Sequence, residues 1–170
     1  MLCVLAKLSD DATEKLAAIQ RSAFHNHEEF KPLHGHITLA SYEGNDETGF
    51  IQTCKDLLKD IRSFDIFYEK IEEFNDPYNI VTKPGPSAIL EAMHQRIADE
   101  YNDALNKWTK MGAWNPHTSL YFAPDTSSHV FFQKMSESFV PFSASVCRIE
   151  FSRVLESGYV IIDFMDLPVC

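Results

Sequence analysis

Two short stretches carry the side chains best suited to chemistry: His36-Ile37-Thr38-Leu39, inside HGHITLA, and His117-Thr118-Ser119-Leu120, inside NPHTSLYF. They share the pattern His-x-Thr/Ser-Leu and lie 81 residues apart. On a β-strand, residues i and i+2 project from one face while i+1 and i+3 project from the other. Each stretch would then offer an imidazole beside a hydroxyl. Two such strands facing across a cleft would place two imidazoles and two hydroxyls around one small anion, the set that acid–base cleavage of a phosphodiester requires. Thr118 sits where the first stretch has Ile37, so strand alternation turns it away from the cleft and makes it a buried, hydrogen-bonded threonine.

The elements that must position these residues follow from apolar periodicity. Residues 2–8 are a short apolar run, read as a buried strand, and Asp11 with Glu14 forms a capping-box-like pair opening a helix over about 11–24 through Ala12, Leu16, Ile19 and Ala23. HNHEEFKP is a polar loop in which Pro32 opposes a helix. HITLASY is the first motif strand. After Gly44-Asn45-Asp46, Phe50, Cys54, Leu57, Leu58 and Ile61 trace a second helix, and FDIFYEKIEEF reads as a strand. The Pro-rich segment 75–87 holds a brief strand around Ile80-Val81 and marks the expected lobe boundary. Ile89, Leu90, Met93, Ile97, Tyr101, Leu105 and Trp108 form the strongest helical stripe, read as core and ending near Gly112. PHTSLYF is the second motif strand, closed by Pro124 and Asp125. Phe132, Met135 and Phe139 mark a helix stopped by Pro141, and two strands joined at Ser157-Gly158 end the chain. The order strand, helix, motif strand, helix, strand thus occurs twice.

Composition bounds what the chain can engage. With 170 residues, 45% hydrophobic, 13 Phe, 6 Tyr and 2 Trp, it has ample material for one buried domain. Asp+Glu of 25 against Lys+Arg of 15 gives a net charge of −10, which disfavours long nonspecific nucleic acid. Cys3, Cys54, Cys147 and Cys170 include no C-x-x-C pair and read as reduced thiols. MLCVLAKLSDD lacks the flanks of a signal peptide and no apolar run approaches a membrane span, so a cytoplasmic monomer without membrane contact is the expectation.

At the two motifs the sequence resembles the two-histidine (2H) phosphoesterase superfamily, which includes the bacterial 2′-5′ RNA ligase and RNA 2′,3′-cyclic phosphodiesterase proteins. The ending RVLESGYVIIDF is loosely similar to the family's closing hairpin. The resemblance implies an α+β bilobal, duplicated fold over residues 1–170, with two antiparallel sheets facing a central cleft and helices packed outside. It implies His36 and His117 as the catalytic pair, Thr38 and Ser119 as hydroxyl donors to the non-bridging phosphate oxygens, and no metal or other cofactor. By family analogy His36 is the general acid and His117 the base, with the roles reversed in ligation. The implied substrate is a 2′,3′-cyclic phosphate, or another small cyclic or 2′-5′-linked nucleotide phosphodiester, as a free nucleotide or an RNA end.

Other residues have competing readings. Tyr42 and Tyr121 follow the motif histidines at even spacing, so each could stack a base or simply pack at the cleft edge. Lys7, Lys83, Arg148 and Arg153 are candidates for a second phosphate. His34 with His36, and His25 with His27, form H-x-H pairs that a metal-dependent hydrolase could use, though no third ligand follows at a characteristic spacing. His94 reads as a helix-surface or boundary residue and His129 as a helix start. A non-catalytic nucleotide-binding or RNA-end-binding protein of the same fold is the alternative from another class.

Overall fold

A computed structural model describes residues 1–23, 33–75, 78–122, 129–156 and 158–169. The chain runs β1 (Leu2–Leu8), α1 (Asp10–Ala23), β2 (His36–Tyr42), α2 (Glu47–Leu58), β3 (Phe64–Asn75), β4 (Tyr78–Pro84), α3 (Ala88–Tyr101), β5 (Thr118–Phe122), α4 (His129–Ser138), β6 (Phe142–Leu155) and β7 (Gly158–Asp166). The sequence periodicity anticipates this order. Alternating burial in β3 and the one-sided burial of α1, where Ala12, Leu16, Ile19 and Ala23 face inward, show the period-2 and period-3.6 patterns at work. The expected loop at HNHEEFKP with His25, His27 and Pro32, the Pro124-Asp125 stop and Ser157 of the closing turn lie outside the described residues.

All strands pair antiparallel, in the order β2-β1-β6-β3-β4-β5, with β7 joined to β6. The two sheets expected from the resemblance are therefore continuous. The reason is the length of β6: its start pairs with β3 (Phe64↔Val146, Tyr68↔Phe142), and its remainder lies between β1 and β7. The motif strands β2 and β5 end the two halves of this sheet. Helices exchange between the halves: α1 follows β1 but packs on α4, β5 and β6, while α3 follows β4 but packs on α2 and β2. Each motif strand is thus backed by a helix from the other half.

Three local readings change. Ser9 caps α1, its Oγ accepting from the Ala12 N–H at 3.4 Å, because the helix starts one residue ahead of the expected Asp11. The stripe read as one helix to Trp108 breaks after Tyr101 into a 3-10 turn at Asn102–Ala104, and Asn102 Oδ1 accepts from the Met111 N–H at 2.8 Å. Beyond that turn Trp108 leaves the core and is 50% exposed. His94 is not on the helix surface: it is 6% exposed on the buried face of α3.

A polar bridge links the motif strands. The Thr118 hydroxyl donates to the His36 carbonyl at 2.7 Å and lies 2.5 Å from the buried Tyr68 hydroxyl. Thr118 is buried and hydrogen-bonded, as alternation requires. Valine would fit in place of Thr118 but would strand both the Tyr68 hydroxyl and the His36 carbonyl. Thr118→Val should cost about 1–3 kcal/mol and Tyr68→Phe about 1 kcal/mol in urea unfolding. A Thr118→Val midpoint equal to wild type at unchanged slope would remove the bridge from the account of stability.

Candidate functional site

Both motif strands carry a β-bulge at the same motif position. In β1–β2 the register passes from Val4↔Ala40 to Leu5↔Thr38, skipping Leu39; in β4–β5 it passes from Ile80↔Tyr121 to Val81↔Ser119, skipping Leu120. A bulged residue leaves the ladder, so its carbonyl needs another donor. The exchanged helices supply it: His94 Nδ1–H of α3 donates to the Leu39 carbonyl at 2.9 Å, and Gln20 Nε2–H of α1 donates to the Leu120 carbonyl at 2.7 Å. His94 also stacks on Trp114, with ring centroids 4.3 Å apart, and the Trp114 indole donates to the Thr38 carbonyl at 2.8 Å. Sequence reasoning missed Gln20, His94 and Trp114, because a helix residue that reaches a distant strand carries no local pattern.

The bulges decide which side chains meet. Ahead of them, His36 and Thr38 alternate with buried Ile37 and Leu39, and His117 and Ser119 with buried Thr118 and Leu120. Past them the parity flips. Tyr42, expected on the cleft face, is 6% exposed and stacks on Phe50 of α2 at 4.2 Å, with Tyr101 of α3 against its edge at 5.8 Å. Tyr121 likewise lies opposite buried Ile80 and packs edge-on against Phe131 of α4 at 5.2 Å. Neither tyrosine lines the cleft. Ser41 lines it instead, in a pocket of about 430 Å³ whose wall includes Thr38, Phe74, Asn79, Trp108, Trp114 and His117. The aromatic side chains on this wall are Trp108, Trp114 and Phe74, and the Phe74 ring also meets His117 edge-on at 5.0 Å.

The two histidines are held alike. His36 Nδ1–H donates to the His34 carbonyl at 2.6 Å, and His117 Nδ1–H donates to the Asn115 carbonyl at 2.7 Å. That fixes the neutral tautomer of each ring, with the lone pair on Nε2. Gly35 belongs to this geometry, since a Cβ there would collide with Thr13 Oγ1 of α1. Burial lowers the His36 pKa to about 4 against the opposing pull of the His34 carbonyl, and His34, His117 and Lys7 add smaller repulsions. Burial also lowers His117, again opposed by a backbone carbonyl, with Lys83 adding repulsion. Burial thus favours the neutral form of both rings, and each lies beside a hydroxyl, of Thr38 or Ser119, a set able to move protons around a bound phosphoryl group.

The remaining candidates are engaged elsewhere. His34 Nε2 pairs with the carboxylate of Glu150, which is 5% exposed, at 2.6 Å. Among the described residues, no group of three His, Cys, Asp or Glu side chains converges. Lys7 donates to the Leu8 carbonyl at 2.9 Å and to Thr13 Oγ1 at 3.1 Å, and Lys83 lies 3.8 Å from Glu72. Arg148 pairs with Asp166 at 2.6 Å and Arg153 with Glu47 at 2.5 Å. Cys3, Cys54 and Cys147 are free thiols, and Cys170 lies outside the described residues. No described helix is long and apolar enough to cross a membrane.

A family model described as the 2′-5′ RNA ligase superfamily matches residues 8–157. No curated protein matches the sequence significantly. Among solved structures, the chain is similar to E. coli LigT complexed with 3′-AMP, with a TM-score of 0.67 and 15% identity over 98% of this chain and 97% of that one. It is similar to E. coli LigT complexed with ATP at a TM-score of 0.64 and 14% identity, over 98% and 97% of the two chains. TT0787 of Thermus thermophilus gives a TM-score of 0.69 at 13% identity, covering 99% of this chain and 98% of that one. At such identities the structural likeness speaks for the fold alone. The family match, by contrast, spans both motif strands and nearly the whole duplicated order of elements, and the chain belongs to the 2′-5′ RNA ligase superfamily.

Proposed function

We propose that this protein is a metal-independent phosphodiesterase that opens 2′,3′-cyclic phosphates, or small cyclic or 2′-5′-linked nucleotide phosphodiesters, by two-histidine acid–base catalysis. The observation that carries this reading is the matched pair of imidazoles, each held through Nδ1 by the carbonyl two residues earlier and each followed on the same strand face by a hydroxyl. One Nε2 takes a proton from water as its oxygen attacks phosphorus. The other gives a proton to the sugar oxygen as the P–O bond breaks, so the net transfer is from water to the leaving group. Thr38 and Ser119 donate to the non-bridging oxygens as charge builds on them.

His36, with its pKa near 4, is neutral throughout the working range and suits the base in hydrolysis. His117 then serves as acid, the reverse of the order that the resemblance implies. Ligation exchanges the two roles. A nucleoside would occupy the pocket beside His117, whose wall includes Trp108, Trp114 and Phe74. The nucleotide ligands named for the LigT crystals agree with such a substrate. The same cleft would serve a binding protein without catalysis, and turnover separates the two.

His36→Ala and His117→Ala should each lower kcat/KM on a 2′,3′-cyclic nucleotide by roughly 10²–10⁴-fold, with no effect of chelator. Activity surviving either substitution would sink the two-histidine mechanism, and loss on chelation would favour a metal hydrolase built on His34 and His36. With a nitrophenyl ester, whose leaving group needs no proton, His117→Ala should recover most of its loss while His36→Ala does not; equal recovery would refute the role assignment.

The pH profile gives a separate test. Burial disfavours both charged imidazoles, so each loses its proton below the ordinary value of 6.5. One ring must be neutral and the other protonated, so kcat/KM should peak between pH about 4 and 6.5 and fall on the alkaline side as the acid loses its proton. A kcat/KM still rising through pH 8 would contradict the burial of these rings.

A further inference from the structure

Residues that match between the halves make a mismatch informative. Leu5 pairs with Thr38 as Val81 pairs with Ser119, so two residues earlier Cys3 in β1 corresponds to Asn79 in β4. Cys3 turns to Ser41, with Sγ and Oγ 3.5 Å apart, and leaves Thr38 alone. Asn79 does the opposite: its Nδ2–H donates to Ser119 Oγ at 2.7 Å. Asn79 is 8% exposed, and its Oδ1 is buried without a protein partner among the described residues. An unpaired buried carbonyl costs stability, yet an apolar residue here would leave Ser119 undirected.

We propose that Asn79 is a positioning residue that aims the Ser119 hydroxyl at one non-bridging oxygen of the phosphoryl group. The assignment rests on the phosphodiesterase reading above. By filling a lone pair of Ser119 Oγ, the amide N–H leaves that hydroxyl's own hydrogen to point elsewhere, and Ser119 is exposed to the cleft. Among the described residues Thr38 has no such director, and its hydroxyl can rotate among staggered positions. The two non-bridging oxygens, diastereotopic but of like charge in free substrate, are therefore bound unequally in the site. The oxygen facing Ser119 meets a preset donor, and the one facing Thr38 meets a mobile one.

Sulfur makes the difference measurable, because it accepts hydrogen bonds poorly. Replacing either non-bridging oxygen of a 2′,3′-cyclic nucleotide gives the Rp and Sp phosphorothioates. The wild-type protein should cleave one diastereomer about 10–100-fold faster than the other, the size of one hydrogen bond to a charged group. Asn79→Ala should bring the ratio to within about 3-fold and should act little in a Ser119→Ala background, since the two residues work as one unit. Asn79→Asp swaps a donor for an acceptor and should draw the Ser119 hydrogen away, slowing the unmodified substrate more than Asn79→Ala does. A diastereomer ratio unchanged in Asn79→Ala, or an equal loss with and without Ser119, overturns the assignment while leaving the phosphodiesterase reading intact. A folded wild-type protein inert towards both unmodified and thio substrates overturns that reading and this assignment with it.

Discussion

The site depends on one buried polar bridge. The motif strands lie at opposite ends of the sheet order, so no ladder between neighbours sets their separation. Thr118 supplies the link, donating to the backbone carbonyl of His36 and meeting the hydroxyl of Tyr68 from β3. One hydroxyl thus ties the residue after one motif histidine to the other motif histidine's own backbone. In a dry interior such a link is strong when satisfied and costly when broken, so it specifies a distance as well as adding stability. That accounts for a threonine where the first motif has isoleucine: a second apolar residue would pack but would not connect.

Around this bridge the two halves repeat their local devices. Each motif strand bulges at its leucine, each bulge carbonyl is taken by a side chain from an exchanged helix, and each histidine is clamped through Nδ1. The repetition gives two bases of one tautomer. The departures from it, Thr118 against Ile37 and Asn79 against Cys3, make the two sides of the cleft unequal.

Much of this was legible in the chain because the signals are local. Apolar periodicity marks the order of elements, and His-x-Thr/Ser-Leu marks the residues that share the site. The burial of Thr118 follows from alternation alone. What was not legible is equally physical. A bulge at Leu39 or Leu120 leaves no mark on composition, yet it reverses every later side chain and so carries Tyr42 and Tyr121 to the helix side. The helical spacing of Trp108 continues past Tyr101 by coincidence, while the Asn102 turn redirects the backbone. Gln20 and His94 serve carbonyls 100 and 55 residues away in sequence, a relation that only the fold creates.

The exchange of helices bears on how such a chain could arise. A half-length chain ending near residue 75 would carry α1 without β5 and β6, the strands it packs on, and β2 without α3. Two copies would cure both defects at once, each lending its first helix to the other. The present single-chain connectivity matches such a swapped pair joined end to end, and within one chain the two sides are free to differ, as Thr118 and Ile37 do.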